Sequence, residues 1–508
     1  MLFSSLQFIF GFVPLALIGF HVSARVGTRM ATAWLVLASL AFYACWKLSF
    51  LPILLISIGF NFVVSRLIVM ASRRPALQSF LLVIGIGCDL LALVYYKYLS
   101  ALCGFLSAEG IADVSFGEIV LPLGISFFTF TQIGYLVDVK QGVSKSHDLL
   151  TYALFVTFFP HLIAGPILHN REMIPQFLDL KTYRFSGQSL IVGLTIFFIG
   201  LAKKTLLADP LSADVAAGFG GAGTVGFSEA WAAVIGYSLQ LYFDFSGYCD
   251  MAIGLARMFN IRFPVNFNSP YKSTTVIEYW QRFHMTLTRF ITMYIYSPLA
   301  LWITRRRMAR GGSAGGRGKP SLAVFASTVL VPTIITMALA GVWHGAGSQF
   351  LIFGLLHGTY IVVNHFTRTF FPASKRAAER GRVSRAAIHA AKVLAVYLAA
   401  LVALCFFRAS SSGAALHMLA GMIGLHGAGT RMPSASMVAL IAIQLAIVWV
   451  APNTQQIMQR YEPSLGRAPA GSKIVWRPSA GWAYAFGILA GLGIVAVGGA
   501  SEFLYFQF

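Results

Sequence analysis

Residues 321–366 read SLAVFASTVLVPTIITMALAGVWHGAGSQFLIFGLLHGTYIVVNHF, and this stretch decides the fold. Two apolar runs, 321–343 and 349–366, are about the 20 residues a helix needs to cross a bilayer. Between them, Gly345 and Gly347 break the helix and leave backbone exposed, which lipid permits only against protein or a water-filled cavity. The stretch therefore reads as a hairpin of two spanning helices with His344 at its turn.

The same pattern recurs along the chain. Further apolar spans fall at 5–23, 31–47, 49–70, 79–100, 119–137, 148–168, 187–206, 228–257, 386–408, 434–451 and 480–499. Composition agrees: 57% of the 508 residues are hydrophobic and only 11% charged, against roughly a quarter charged in soluble proteins. Mean hydropathy is +0.74. Too little polar surface remains to cover a soluble globule. With no strand-period pattern and no internal repeat, the expectation is an all-α polytopic integral membrane helical bundle of about 11–14 helical segments. One domain is expected over residues 1–508. The first span has no cationic leader or small-residue cleavage site, so it reads as retained.

The net charge of +21 sits in short basic runs between spans: Arg25/Arg29, Arg73/Arg74, Lys203/Lys204, Arg305 to Lys319, and Lys375 to Arg385. That is the pattern of positive-inside loops facing anionic headgroups. Nucleic-acid binding is excluded, because no basic stripe is interleaved with stacking aromatics. The two strongest runs flank the 321–366 hairpin and put its ends in the cytoplasm and its turn outside. The five cysteines are scattered and form no zinc-ligand spacing. No external loop is long enough for a soluble domain, so any chemistry belongs to side chains within the bundle.

Ionisable groups inside spans are costly and mark function by default. Residues 242–300 hold most of them: YFDFSGYCDMAIGLARMFNIRFPVNFNSPYKSTTVIEYWQRFHMTLTRFITMYIYSPLA. Asp244 and Asp250 lie in an apolar run, followed by an irregular segment containing Asn266. A helix is predicted from Thr275, capped with Glu278, with Glu278 and Arg282 paired four apart. It carries His284 about 13 Å from its start, on one face with Trp280. From spacing alone, His284 reads as either a packed core residue or a functional one. His344, beside Trp343, reads equally as an interfacial turn residue or as a neutral imidazole able to accept a proton near pH 7. His357 is 13 residues further on, about 220° round a continuous helix, and so is placed on another face. HExxH, GxSxG and Walker A motifs do not occur. GxxxG-like spacings among the 48 glycines read as close helix packing.

These stretches resemble the bacterial branch of the membrane-bound O-acyltransferase (MBOAT) family, the membrane proteins of alginate O-acetylation above all and the D-alanyl transfer proteins of teichoic acid more distantly. The likeness covers most of the chain, through LPLGISFFTFTQIGYLVDVKQG at 121–142, FPHLIAGPILHN at 159–170, YFDFSGYCDMAIGLARMFNIRFPVNFNSPY at 242–271 and the ending FLYFQF. It implies a catalytic histidine at Trp343-His344-Gly345 and a second functional histidine closing the WxxxH motif, Trp280 to His284. Trp343, Trp280, Asp244, Asp250 and Asn266 are the accompanying candidates for substrate binding, and no metal set is expected. Where relatives carry an Arg-Asp pair, this chain has Thr292-Met293, and a longer basic segment with RRRMAR at 305–310 replaces the usual Gly-Gly-Asn-Arg.

The implied reaction is transfer of an acyl group, with acetyl-CoA as donor substrate and no bound cofactor. It would run from the cytoplasm across a bacterial inner membrane for O-acetylation of an extracytoplasmic polysaccharide. His344 would be the general base, and His284 would orient the donor or stabilise the oxyanion. The resemblance also implies a periplasmic or membrane-anchored SGNH-hydrolase-like partner that completes transfer to the polymer. The alternatives are transfer to a lipid or of D-alanine, a transporter or channel, and a structural subunit of an export complex.

Overall fold

The computed structural model describes residues 1–111, 119–145, 147–220, 225–312, 319–372, 381–429, 432–466, 472–498 and 503–504. Among these, fourteen α-helices run to ten residues or more, and the only β-type contact is an isolated bridge between Pro264 and Leu465. Seven helices are long and apolar enough to cross a membrane. Large apolar side chains point outward along them, Ile56 at 71% exposure and Val83 at 68% among others. A water-soluble protein rarely exposes such continuous apolar surface, so lipid is the solvent the helices are built for.

The expected spans match the helices closely. The run 434–451 becomes Ala435–Val450, 228–257 becomes Phe227–Met258, and 386–408 becomes Arg382–Arg408. Two spans are not single helices. The run 148–168 breaks at Phe158, ahead of Pro160, into Leu149–Thr157 and Phe159–Leu162. The run 119–137 stays irregular until Gly124, whose φ of 74° is open to glycine, and helix follows over Ile125–Lys140.

The chain forms two compact units. The first comprises Met1–Leu206, Phe243–Val265 and Thr454–Gln507. In it, Gly187–Ala202 packs on the second half of Phe227–Met258 through two glycine pairs. A Cβ on Gly200 would meet the Gly247 carbonyl oxygen at 2.5 Å, and one on Gly193 would meet that of Gly254 at 2.6 Å. Small residues allow this backbone approach, as the glycine spacing suggested. Tyr248 is sandwiched between Phe3, at 4.7 Å between ring centroids, and Phe503, at 4.5 Å.

The second unit comprises Leu207–Tyr242 and Asn266–Asn453. Its centre is the hairpin of Val331–His344 and Ser348–Phe370. Gly341 and Gly354 bring the two helices together: a Cβ on Gly354 would strike the Met337 carbonyl oxygen and lie 3.1 Å from the Gly341 Cα. Thr292-Met293, the departure from the family pattern, lies in a π-helical turn, Thr292–Tyr296, leading into Ser297–Ala309.

A side chain at Gly354 should push the hairpin apart. Gly354→Val is expected to cost about 1–3 kcal/mol, seen as a lower melting temperature of the detergent-solubilised protein. Gly487→Ala, where nothing lies within 4 Å of a new Cβ, should leave the melting temperature unchanged.

Candidate active site

His344 is the last residue of its helix and is buried. Its Nδ1 lies 2.7 Å from the Ala340 carbonyl oxygen one turn earlier. A carbonyl only accepts, so Nδ1 carries the proton and the ring's lone pair is on Nε2. Trp343, Phe353 and Phe407 enclose the imidazole, with ring centroids at 4.8, 5.9 and 5.1 Å. Gly345, in extended backbone, ends the helix directly after it.

The second histidine is held differently from the sequence expectation. The predicted helix running from Thr275 through His284 is two helices, Val276–Trp280 and Met285–Ile291. Thr275 caps the first, accepting from the Glu278 N–H at 3.1 Å, and Glu278 pairs with Arg282 at 2.7 Å, both as expected. His284 stands at the break with φ 47° and ψ 50°, a left-handed conformation that costs a non-glycine residue of order 1–3 kcal/mol. The cause is the preceding irregular segment. Asn268 N–H donates to the Arg282 carbonyl at 2.9 Å, and Met285 N–H donates to the Asn266 carbonyl at 2.9 Å. The chain around His284 is thereby drawn onto residues 266–268.

Asn266 is the anchor. Its Oδ1 accepts from Thr286 N–H at 3.1 Å and Thr286 Oγ1 at 2.8 Å, and lies 3.1 Å from His284 Nδ1. An amide oxygen serving these donors assigns the proton to Nδ1 of His284, again placing the lone pair on Nε2. The two imidazoles are near enough to interact electrostatically. The structure thus brings His284, Asn266, His344 and Trp343 into one unit with matching tautomers.

The indole Nε1–H of Trp280 donates to His357 Nδ1 at 3.2 Å. His357 also stacks flat on Tyr279 at 6.1 Å and meets Phe353 at 4.8 Å. Phe353 therefore touches both His344 and His357. The argument that placed His357 on a remote face assumed a continuous helix; the break between His344 and Ser348 resets the angle.

Asp244 and Asp250 belong to the first unit and have partners of their own. Lys204 Nζ lies 2.7 Å from Asp244 Oδ1, and Lys203 Nζ lies 2.6 Å from Asp250 Oδ2. Thr454 Oγ1 donates to Asp250 Oδ2 at 2.6 Å, and Leu504 N–H donates to Asp244 Oδ2 at 2.9 Å. Lys204 and Asp244 are almost wholly buried, at 5% and 1% side-chain exposure. Lys203/Lys204 is consequently no loop run facing headgroups, as its sequence suggested; both lysines neutralise carboxylates within the helices. Among the described residues, no group of three or more His, Cys, Asp or Glu side chains is arranged to hold a metal ion.

The sequence matches the profile of the membrane-bound O-acyltransferase family over residues 135–313. It is 37% identical over 462 residues to the peptidoglycan O-acetyltransferase of Helicobacter pylori, covering 84% of this chain and 80% of that protein. It is 32% identical over 478 residues to a protein of Azotobacter vinelandii named "probable alginate O-acetylase", covering 92% and 87%. A teichoic acid D-alanyltransferase of Bacillus subtilis is 26% identical over 245 residues, covering 48% of this chain and 59% of that protein. The chain belongs to the membrane-bound O-acyltransferase family. It is a multi-pass membrane enzyme, an O-acyltransferase, and the transporter and structural-subunit alternatives fall away.

Two outcomes follow for the anchors. Asp244→Ala strands a buried Lys204 and should cost about 3–5 kcal/mol, read as a lower melting temperature, whereas Lys204→Met combined with Asp244→Leu should recover much of it. Asn266→Ala strands the buried Thr286 N–H and hydroxyl and the His284 Nδ1–H. It should lower the melting temperature, by about 1–3 kcal/mol or more in stability, and slow acyl transfer by about 10²-fold, because His284 is no longer aimed.

Proposed function

We propose that this O-acyltransferase takes an acetyl group from acetyl-CoA on the cytoplasmic side of a bacterial inner membrane and hands it outward for O-acetylation of a polysaccharide. The observation that carries the reading is the fixed tautomer of His344. With Nδ1–H spent on the Ala340 carbonyl at 2.7 Å, Nε2 is the ring atom left to accept a proton, and Trp343, Phe353 and Phe407 hold the imidazole in place.

Nε2 of His344 removes the proton of the acceptor hydroxyl as that oxygen attacks the thioester carbonyl. The new C–O bond forms, the C–S bond breaks, and the departing thiolate takes the proton back from the imidazolium. His284, its Nδ1–H held by Asn266 at 3.1 Å, presents an accepting Nε2 and orients the donor; in this tautomer it has no free N–H to offer an oxyanion. Acetyl as the acyl group and polysaccharide as the final acceptor are supported by the relatives named for O-acetylation of peptidoglycan and alginate. The relative named for D-alanyl transfer is the more distant.

The second element of the proposal is a relay. No external loop read from the sequence is long enough to form a groove for a sugar polymer, so a periplasmic or membrane-anchored SGNH-hydrolase-like partner receives the acetyl group and esterifies the polysaccharide.

His344→Gln should insert and purify normally but lose at least 10²-fold in acetyl transfer, measured with labelled acetyl-CoA in proteoliposomes. Activity above a tenth of wild type would remove His344 from the role of base. Efficient polymer acetylation by the isolated protein, before any partner is added, would refute the relay.

A further inference from the structure

Arg408 is the last residue of the helix Arg382–Arg408. Its neighbour Phe407 lies against His344, ring centroids 5.1 Å apart. The chain that follows is tied to the loop after His344. Gln349 Nε2 donates to the Ser410 carbonyl at 3.2 Å, and the hydroxyls of Ser348 and Ser412 lie 2.7 Å apart. Arg408 therefore stands at the same end of its helix as the turn that carries the base.

Its surroundings are unusual for a cation. The guanidinium carbon sits 5.6 Å from the Phe219 ring centroid and 5.9 Å from that of Tyr237. Nε is buried with no hydrogen-bond partner, and no carboxylate pairs with the group among the described residues. Four other cations have carboxylate partners: Lys203 with Asp250, Lys204 with Asp244, Arg262 with Glu462, Arg282 with Glu278. Arg257 Nε is, like that of Arg408, buried without a hydrogen-bond partner, but of the two only Arg408 lies beside the turn that carries His344. The local sequence offers Arg408 little choice, since Glu379 is the one acidic residue between Glu278 and Glu462.

We propose that Arg408 binds an oxyanion, a carboxylate or a phosphate, carried by the acceptor whose hydroxyl His344 deprotonates. Aromatic rings satisfy the face of a guanidinium and leave its edge, where the N–H donors form a fork matched to two oxygens of one oxyanion. A positive charge at a helix C-terminus is favourable in itself, but lysine would serve that purpose equally; the fork is what lysine lacks. The acceptor is favoured over a lipid headgroup as the source because the flanking residues Cys405, Phe406, Phe407 and Ala409 are all buried, as is Tyr237 above the group. This inference rests on the reading of His344 as the base that faces the acceptor side.

The test uses the full-length protein in phosphatidylcholine vesicles with labelled acetyl-CoA. Glycerol, glycerate and glycerol phosphate serve as surrogate acceptors, the two anions carrying a carboxylate or a phosphate in place of one hydroxyl of glycerol, and rates are compared per free hydroxyl. Wild type should prefer the two anions over glycerol by roughly tenfold or more in kcat/KM, as one charge-assisted contact allows. Arg408→Lys and Arg408→Gln should erase most of that preference, with the loss in KM for the anions rather than in kcat. The lysine variant keeps the charge, so the fork can be judged even where the glutamine variant folds poorly. Equal use of the three alcohols by wild type, or an equal loss on all three in Arg408→Lys, would overturn the proposal. So would a preference that survives the substitution. Stimulation of wild type by added phosphatidylglycerol that vanishes in Arg408→Lys, without any acceptor preference, would assign the oxyanion to lipid instead. His344→Gln run alongside keeps the two readings separate. Activity retained there removes the base, whereas a dead His344→Gln beside an indifferent Arg408 pair removes only this inference.

Discussion

A polar group surrounded by hydrocarbon has no water to turn to, so every buried donor, acceptor and charge must be answered from within the chain. That constraint organises this enzyme at two scales. At the larger scale it fixes helices against one another: Lys203 with Asp250 and Lys204 with Asp244 are placed so that neither carboxylate nor ammonium meets lipid alone. Removing one partner of such a pair costs far more than the intact pair contributes, because an uncompensated charge is left behind. At the smaller scale the same demand sets the chemistry. The Ala340 carbonyl and the Asn266 amide oxygen each take an imidazole Nδ1 proton, and the consequence is a basic Nε2 on both His344 and His284.

The spans were legible in the sequence because a membrane helix is announced by its own residues: a run of about 20 apolar side chains needs no distant partner to be recognised. The capping of Val276–Trp280 by Thr275 and the pairing of Glu278 with Arg282 were legible for the same reason, being contacts within one turn. Contacts set by distant segments were not. Lys203/Lys204 looks like a loop signal until the aspartates some forty residues later are folded against it. The break at His284 has no glycine or proline to announce it; Asn266 and Asn268 impose it from outside. His357 was misplaced because an angular argument holds only while a helix continues, and this one stops at His344. Arg408 carries no motif, and its significance appears only once the rings of Phe219 and Tyr237 are seen to flank it.

The site residues also divide by the kind of work they do. His344 and His284 present ring nitrogens of set protonation. Asn266 holds one of them in place, and Trp280 does the same for His357, which packs through Phe353 toward His344. Asp244 and Asp250, although equally embedded, are committed to lysines. Being ionisable within a membrane marks a residue as important; its partners decide whether it is important to the reaction or to the fold.

The lysine–aspartate pairs bear on how the protein is made. Helices enter the bilayer in the order of synthesis, so the segment bearing Lys203 and Lys204 reaches the insertion machinery before Asp244 and Asp250 exist. Each lone lysine opposes insertion by roughly 2.5–3.5 kcal/mol at the centre of a span. The Gly187–Ala202 helix and its lysines should therefore linger at the machinery until Phe227–Met258 arrives, and the two should leave for lipid as a neutral couple. The Leu504 N–H that completes the shell of Asp244 comes 260 residues later. Biogenesis should thus pass through a halfway state in which charge is already balanced but both aspartates still wait for a late donor, Thr454 for Asp250 and Leu504 for Asp244.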